Sequence, residues 1–180
     1  MTGDQPRPGV LFKADILARI TEVADELAAR NLHATLVVVG GAYLALRDLR
    51  DATVDVDSIT RLTTAVKTVV AEVAHRHGLR DNWLNDGAAM FAPATFRIED
   101  CSVFFSRSHL TVLGPPPNQV FVMKLFAARA PDHDDMIALW PLCSFDSAGA
   151  VIEAYAAAYP HEEHDPYLVD YVERVITAAR

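Results

Sequence analysis

The chain predicts an α/β (α+β) fold: a mixed twisted sheet with flanking helices, continued by a helical C-terminal part. Three observations predict it. Leu36–Val39 is a β-branched apolar run that ends abruptly in Gly40-Gly41. Thr53–Ile59 alternates in the two-residue rhythm of a strand. Apolar residues at helical spacing surround these two stretches and fill nearly all of the chain after Pro115-Pro116-Pro117.

The opening MTGDQPRPGV is rich in proline and glycine and lacks the basic-then-apolar order of a signal peptide, so residues 1–10 are expected to be disordered. Residues 11–114 are expected to form the core, and residues 115–180 a helical part closing a cleft. Lys13–Arg30 carries Ile16, Leu17, Ile20, Val23, Ala24 and Leu27 on one helical face, with Asn31 as its cap. Leu36–Val39 reads as a buried strand, Gly40-Gly41 as a sharp turn and Ala42–Leu49 as a short helix. In the strand Thr53–Ile59, Val54, Val56 and Ser58 share one face and Thr53, Asp55, Asp57 and Ile59 the other. Arg61–His77 is a second amphipathic helix, N-capped by Thr60 and ended by Gly78. His75 and His77 fall at its C-terminal end, where positive charge complements the helix dipole.

Trp83 and Leu84 are expected to anchor the next loop, with Asn85 and Asp86 shaping a turn; the functional alternative is that this loop lines the nucleotide pocket. Ala94–Leu113 reads as strands, the first pairing about Glu99-Asp100 and the last spanning His109–Leu113. The three prolines stop that strand and start a helix, Gln119–Ala130, in which Lys124 keeps unusually apolar company. Asp132, Asp134 and Asp135 open the following helix, which reaches about Leu142. Ser147–Ala158 and Pro166–Ala179 complete the helical part. His161-Glu162-Glu163-His164 lacks the spacing of a zinc motif and reads as a charged linker.

The chemistry is concentrated between Gly40 and Asp57. Two carboxylates two residues apart on a strand face, Asp55 and Asp57, repel each other. A divalent cation removes that cost, and hard oxygen donors suit Mg²⁺ or Mn²⁺. A lone D-x-D is usually a solvated strand edge and a lone Gly-Gly a plain turn. Their order, a glycine turn feeding a helix and then a carboxylate pair, suits a metal–nucleoside triphosphate complex.

Gly40-Gly41, followed by Arg50, Thr53, Asp55, Val56 and Asp57, resembles the signature of the polymerase-beta-type nucleotidyltransferase superfamily, in which G-[GS] precedes an acidic pair flanking one apolar residue. Trp83-Leu84-Asn85 is similar to the WLN segment of its minimal bacterial members. Val122-Met123-Lys124-Leu125 with Ala128, Arg129, Asp132 and Asp135 is similar to a second segment of theirs. That branch includes AbiEii- and MenT-type toxins of toxin–antitoxin modules, and the resemblance covers about Leu36 to Leu142.

The resemblance implies transfer of a nucleoside monophosphate from an NTP to an acceptor hydroxyl. Asp55 and Asp57 would be metal ligands and catalytic, with Lys124 and Asp135 joining them in catalysis. Gly40, Gly41, Arg50, Thr53 and Asp132 would bind the nucleotide. The implied acceptor is RNA at the tRNA 3′ end, the implied partner a cognate antitoxin. A protein or antibiotic acceptor, or a non-catalytic nucleotide- or partner-binding module, are the alternatives. A third metal-binding carboxylate is usual in the superfamily, and Glu99 and Asp100 are the acids on the stretch where it would fall.

Composition narrows these expectations. A formal net charge of −8 argues against a general nucleic-acid coat, so a polynucleotide would need a local basic face, for which Arg47, Arg50, Arg61, Arg76, Arg80, Arg107 and Arg129 are available. Cys101 and Cys143, far apart in sequence, match neither a disulfide framework nor a zinc site and are expected to be reduced and mostly buried. No run of eighteen apolar residues suggests a membrane span, and the expected location is cytoplasmic.

Overall fold

A computed structural model describes residues 9–127, 132–163 and 165–180. The expected disorder of the first eight residues, the readings placed on Ala128, Arg129 and Pro131, and His164 lie outside these. The chain forms two units, one running to Met90 and resuming at Ser102–Gly114, the other made of Phe91–Cys101 and Pro115–Arg180.

The first unit is built on a five-stranded mixed sheet. Its strands are β2 (Ala34–Val39), β4 (Val56–Ser58), β5 (Leu84–Asn85), β6 (Ser102–Arg107) and β7 (Leu110–Gly114). The order is β5-β4-β2-β7-β6. β2 runs parallel to β7 and antiparallel to β4, β5 is parallel to β4, and β6 is antiparallel to β7. A separate pair joins β1 (Leu11–Phe12) to β3 (Ala52–Thr53). Leu36, Val37, Val38 and Val39 are all buried, as a β-branched run flanked by strands on both sides requires.

Three helices complete this unit: α1 (Lys13–Ala29), α2 (Gly40–Leu46) and α3 (Thr64–His77). Ile16, Ile20, Val23, Ala24 and Leu27 form the buried stripe of α1. Burying each large aliphatic chain contributes about 1.5–3 kcal/mol relative to leaving it exposed. Asn31 ends α1 at φ 52°, the left-handed conformation asparagine tolerates, and Gly78 ends α3 at φ 63°. α1 and α3 pack together, and their outer edges are joined by Glu22 to His77 at 2.7 Å, Glu26 to Arg76 and Arg30 to Glu72.

Three expectations are corrected here. The N-cap of α3 is Thr63, whose hydroxyl accepts from Val66 N, rather than Thr60. Thr60 is committed to the sheet: its hydroxyl accepts from Val37 N at 3.1 Å and donates to Thr35 O at 2.8 Å. The stretch Thr53–Ile59 is not one strand. It breaks at Val54-Asp55, because Thr53 pairs with Leu11 while Val56 pairs with Leu84, and Val54 is left exposed. The hairpin turn is at Ser108-His109, between β6 and β7, not at Glu99-Asp100.

Residues 94–100 form no strand. Ile98–Asp100 is a single 3₁₀ turn, and this segment belongs to the helical unit. There Ala94 N donates to Ala158 O at 2.8 Å, Gln119 Nε2 to Thr95 O at 3.1 Å, and Tyr159 Oη to Phe91 O at 3.0 Å. The helices of this unit are α4 (Pro117–Ala127), α5 (Asp132–Leu139), α6 (Ala148–Ala158) and α7 (Leu168–Ala178). Ser147 caps α6 by accepting from Ala150 N. Phe126 stacks on Tyr159 at 4.1 Å between ring centres. Both cysteines are free and half-buried, and burial pushes the Cys143 thiol up to about 12. Among the described residues no helix is long and apolar enough to cross a membrane.

Candidate active site

Where β2 ends, the chain reverses into α2 through Gly40, whose φ is +64°. That left-handed backbone is strained for residues with a Cβ. Asp57 lies in the neighbouring strand, in register with Val39. A Cβ built on Gly40 would stand 3.1 Å from Asp57 Oδ2. One built on Gly41 would stand 2.6 Å from Thr53 Oγ1 and 3.5 Å from Arg50 Nη1. The two glycines thus lie directly against Asp57, Thr53 and Arg50, three chain segments having converged on one small patch.

Asp55 sits in the break between β3 and β4, with about a third of its side chain exposed. Thr53 Oγ1 donates to Asp55 O at 3.1 Å and Arg50 Nε to Ala52 O at 2.9 Å, which fixes the loop from both ends. Arg80 donates to Val54 O at 3.2 Å and stands 3.9 Å from Asp55 Oδ2. On the other side of Asp57, Asn85 Nδ2 donates to Asp57 Oδ1 at 3.0 Å.

Arg80 and Asn85 are neighbours to which the sequence gives no specific contact: the bonds to Val54 O and to Asp57 emerge only in the fold. In the sequence Arg80 is one of several arginines available for a basic face, and Asn85 a turn residue in a loop that could line the nucleotide pocket. The signal for Asn85 is its place directly after the apolar pair Trp83-Leu84, in the segment similar to WLN.

A divalent cation fits the donor set. Asp55 and Asp57 offer hard carboxylate oxygens, and the space beside Asp57 Oδ2 is one that any side chain at position 40 would fill. Among the described residues no cluster of three His, Cys, Asp or Glu side chains forms a metal site. Glu99 and Asp100, the acids considered for a third ligand, are exposed in their 3₁₀ turn.

Lys124, Asp132 and Asp135 form their own cluster in the helical unit. Lys124 Nζ donates to Asp132 Oδ1 at 2.9 Å and to Asp135 Oδ2 at 2.7 Å. The three side chains are 5%, 4% and 9% exposed. α4 ends at Ala127 and α5 begins at Asp132, so the pairing is made between two helices rather than along one. Lys124 therefore does not carry its ammonium to the surface. It is a buried cation between two carboxylates, both in the first turn of α5, where the helix dipole favours negative charge.

Several of the arginines considered for a basic face are committed elsewhere. Arg107 pairs with Asp25 at 2.9 Å and Arg76 with Glu26. The Arg47 guanidinium lies over the rings of Tyr43 and Phe104, at 5.2 and 5.5 Å from their centres.

A family model described as a nucleotidyltransferase of unknown function (DUF6036) matches residues 15–168. No curated protein and no solved structure matches the chain.

Proposed function

The chain belongs to the nucleotidyltransferase family DUF6036, and on that premise we propose that it transfers a nucleoside monophosphate from an NTP to an acceptor hydroxyl at the Gly40–Asp57 patch. The observation that carries this reading is the contact of the glycine turn with Asp57 and Thr53. It is supported by a carboxylate pair whose two members lie on a strand and on the loop leading into it.

In this reading Asp55 and Asp57 hold Mg²⁺ or Mn²⁺. Such an ion, when bound, neutralises triphosphate charge and lowers the pKa of an attacking hydroxyl. The Gly40-Gly41 backbone admits phosphate oxygens where a side chain would exclude them. Arg50 and Arg80 offset the negative charge that grows as the acceptor oxygen bonds to the α-phosphorus and the bond to pyrophosphate breaks. The Thr53 hydroxyl and Arg50 Nε hold the Asp55 loop in place meanwhile.

An RNA acceptor, a tRNA 3′ end in particular, and a role as the toxin of a toxin–antitoxin pair rest on the resemblance of the WLN and Lys124 segments. Catalytic roles for Lys124 and Asp135 and nucleotide binding by Asp132 rest on it too. Of the described arginines considered for such an acceptor, Arg50, Arg61 and Arg80 are left once Arg76 and Arg107 are paired to α1 and Arg47 lies over Tyr43 and Phe104.

The test incubates the protein with Mg²⁺ and each α-labelled NTP in turn, with total RNA, a protein lysate and an aminoglycoside as separate acceptors. Label is expected in RNA with the wild type and in nothing with Asp57→Asn, which keeps the shape but removes the charge. Label in protein or drug alone overturns the acceptor. Tight NTP binding without label in any acceptor overturns the enzymatic reading in favour of a binding module.

A further inference from the structure

Four consecutive residues, Trp83 to Asp86, are each fastened to the structure around them. Trp83 Nε1 donates to Val70 O at 3.2 Å, and Trp83 O accepts from Val56 N at 2.6 Å. Leu84 is buried and paired with Val56. Asp86 accepts from Leu62 N at 2.9 Å and pairs with Lys67 at 2.9 Å. Three of the four therefore fix the segment to α3 and to β4. The fourth, Asn85, stands in register with Asp57 and directs its side chain to it.

The amide of Asn85 has one orientation that satisfies its surroundings. Its Oδ1 accepts from Gly87 N at 2.8 Å, and its Nδ2 donates to Asp57 Oδ1 at 3.0 Å. Turning the amide over would set a donor against the Gly87 N–H and an acceptor against the carboxylate, losing both bonds. Gly87 contributes independently: a Cβ there would lie 2.9 Å from Asn85 Oδ1. The glycine thus lets the backbone come close enough to hold the amide. Asp57 is then gripped through one oxygen, Oδ1, while the other, Oδ2, is the one that faces Gly40.

We propose that Asn85 is a positioning residue that locks the Asp57 carboxylate so that it presents Oδ2 to a divalent cation at the glycine turn, with Gly87 as the clamp that orients Asn85. The proposal rests on the metal-dependent reading above and adds to it the residue that pre-organises its ligand. Hydrogen-bonded partners of metal ligands fix orientation, and their loss typically weakens metal binding about 10–100-fold.

The test measures Mn²⁺ affinity by electron paramagnetic resonance or calorimetry, and metal-free thermal stability, in the wild type, Asn85→Ala, Gly87→Ala and Asp86→Asn. Asn85→Ala is expected to weaken Mn²⁺ binding by about 10-fold or more, with Gly87→Ala moving it in the same direction by less. Asp86→Asn, which loosens the segment without touching Asp57, is expected to lower stability and leave Mn²⁺ affinity within a few-fold. Should Asn85→Ala misfold, the Gly87→Ala and Asp86→Asn pair still decides the matter. Wild-type binding with equal affinity in the Asn85 and Gly87 variants overturns the positioning role and leaves the metal reading standing. Affinity that falls equally in Asp86→Asn shows a structural role alone and overturns the proposal. Absence of Mn²⁺ binding by the wild type overturns both readings together.

Discussion

Gly41 faces Thr53 so closely that a single added methyl, 2.6 Å from the Thr53 Oγ1 and 3.3 Å from its Cβ, has no room. Thr53 is buried and β-branched, and its hydroxyl is held by Asp55 O. It cannot swing aside as a long surface side chain could. The glycine pair is therefore required by packing before any ligand is considered, and the same packing brings backbone to the carboxylates.

Gly41→Ala is expected to cost about 1–3 kcal/mol by overpacking and to weaken NTP binding. Urea denaturation gives the first quantity and calorimetry with Mg–NTP the second. A variant with wild-type stability and wild-type affinity would show that the turn yields, and that close approach at position 41 is dispensable.

Lys124 invites a test that separates folding from chemistry. Lys124→Met leaves two carboxylates buried without their shared cation, and loss of one partner from a buried ion pair typically costs about 3–5 kcal/mol. The triple change Lys124→Met, Asp132→Asn, Asp135→Asn removes the charges together and is expected to regain most of that loss. If Lys124 or Asp135 takes part in transfer, as the resemblance implies, the refolded triple variant will be inactive. A triple variant that is both stable and active would assign the cluster to structure alone.

Asp86 gives the fold an acid limit. The Leu62 N–H, and next the Lys67 ammonium, hold its carboxyl below the ordinary value of 3.8. A carboxyl lowered on folding contributes stability that is present above its unfolded value and is lost as pH falls through its folded one. Asp86 therefore contributes fully at neutral pH and progressively less from about pH 4 downward. Urea midpoints for wild type and Asp86→Asn should differ at pH 6 and draw together as pH falls below the ordinary carboxylate value; a difference independent of pH would assign the effect to shape rather than charge.

Much of this arrangement could be read from residue order, and where reading stopped there was a competing partner. The run Leu36–Val39, the glycines after it, Asn31 and Gly78 act through local conformational preference, so their roles survive folding unchanged. Thr60 and Thr63 are equally good caps in sequence; the sheet claims the first through Thr35 and Val37, leaving the second for α3. Asp55 falls in a break between strands because Thr53 and Val56 pair with different partners, which no two-residue rhythm reveals. Asn85 reads as a turn former since asparagine usually is one. Its bond to Asp57 depends on β5 lying parallel to β4, a long-range fact. The Ser108-His109 reversal carries neither glycine nor proline, while Glu99-Asp100 has the polarity of a turn, so the sequence points to a reversal nine residues before the real one.

The parallel pairing of β2 with β7 sets a schedule for the newborn chain. Ala34 must wait for Leu110, and the helical excursion of Phe91–Cys101 is synthesised in between. At roughly 5–20 residues per second of translation, one flank of β2 spends some seconds as an open row of amides and carbonyls outside the ribosome. Such a strand is a template for mispairing. Closure of the sheet depends on a large loop whose entropy must be met before its contacts form. The same feature places Gly40 and Asp57 together early, since β4 follows β2 closely, whereas the far side of the sheet beneath them is completed last. For this protein the vulnerable moment is thus during synthesis, and chaperone demand should track the delay in delivering β7 more than the final stability of the site.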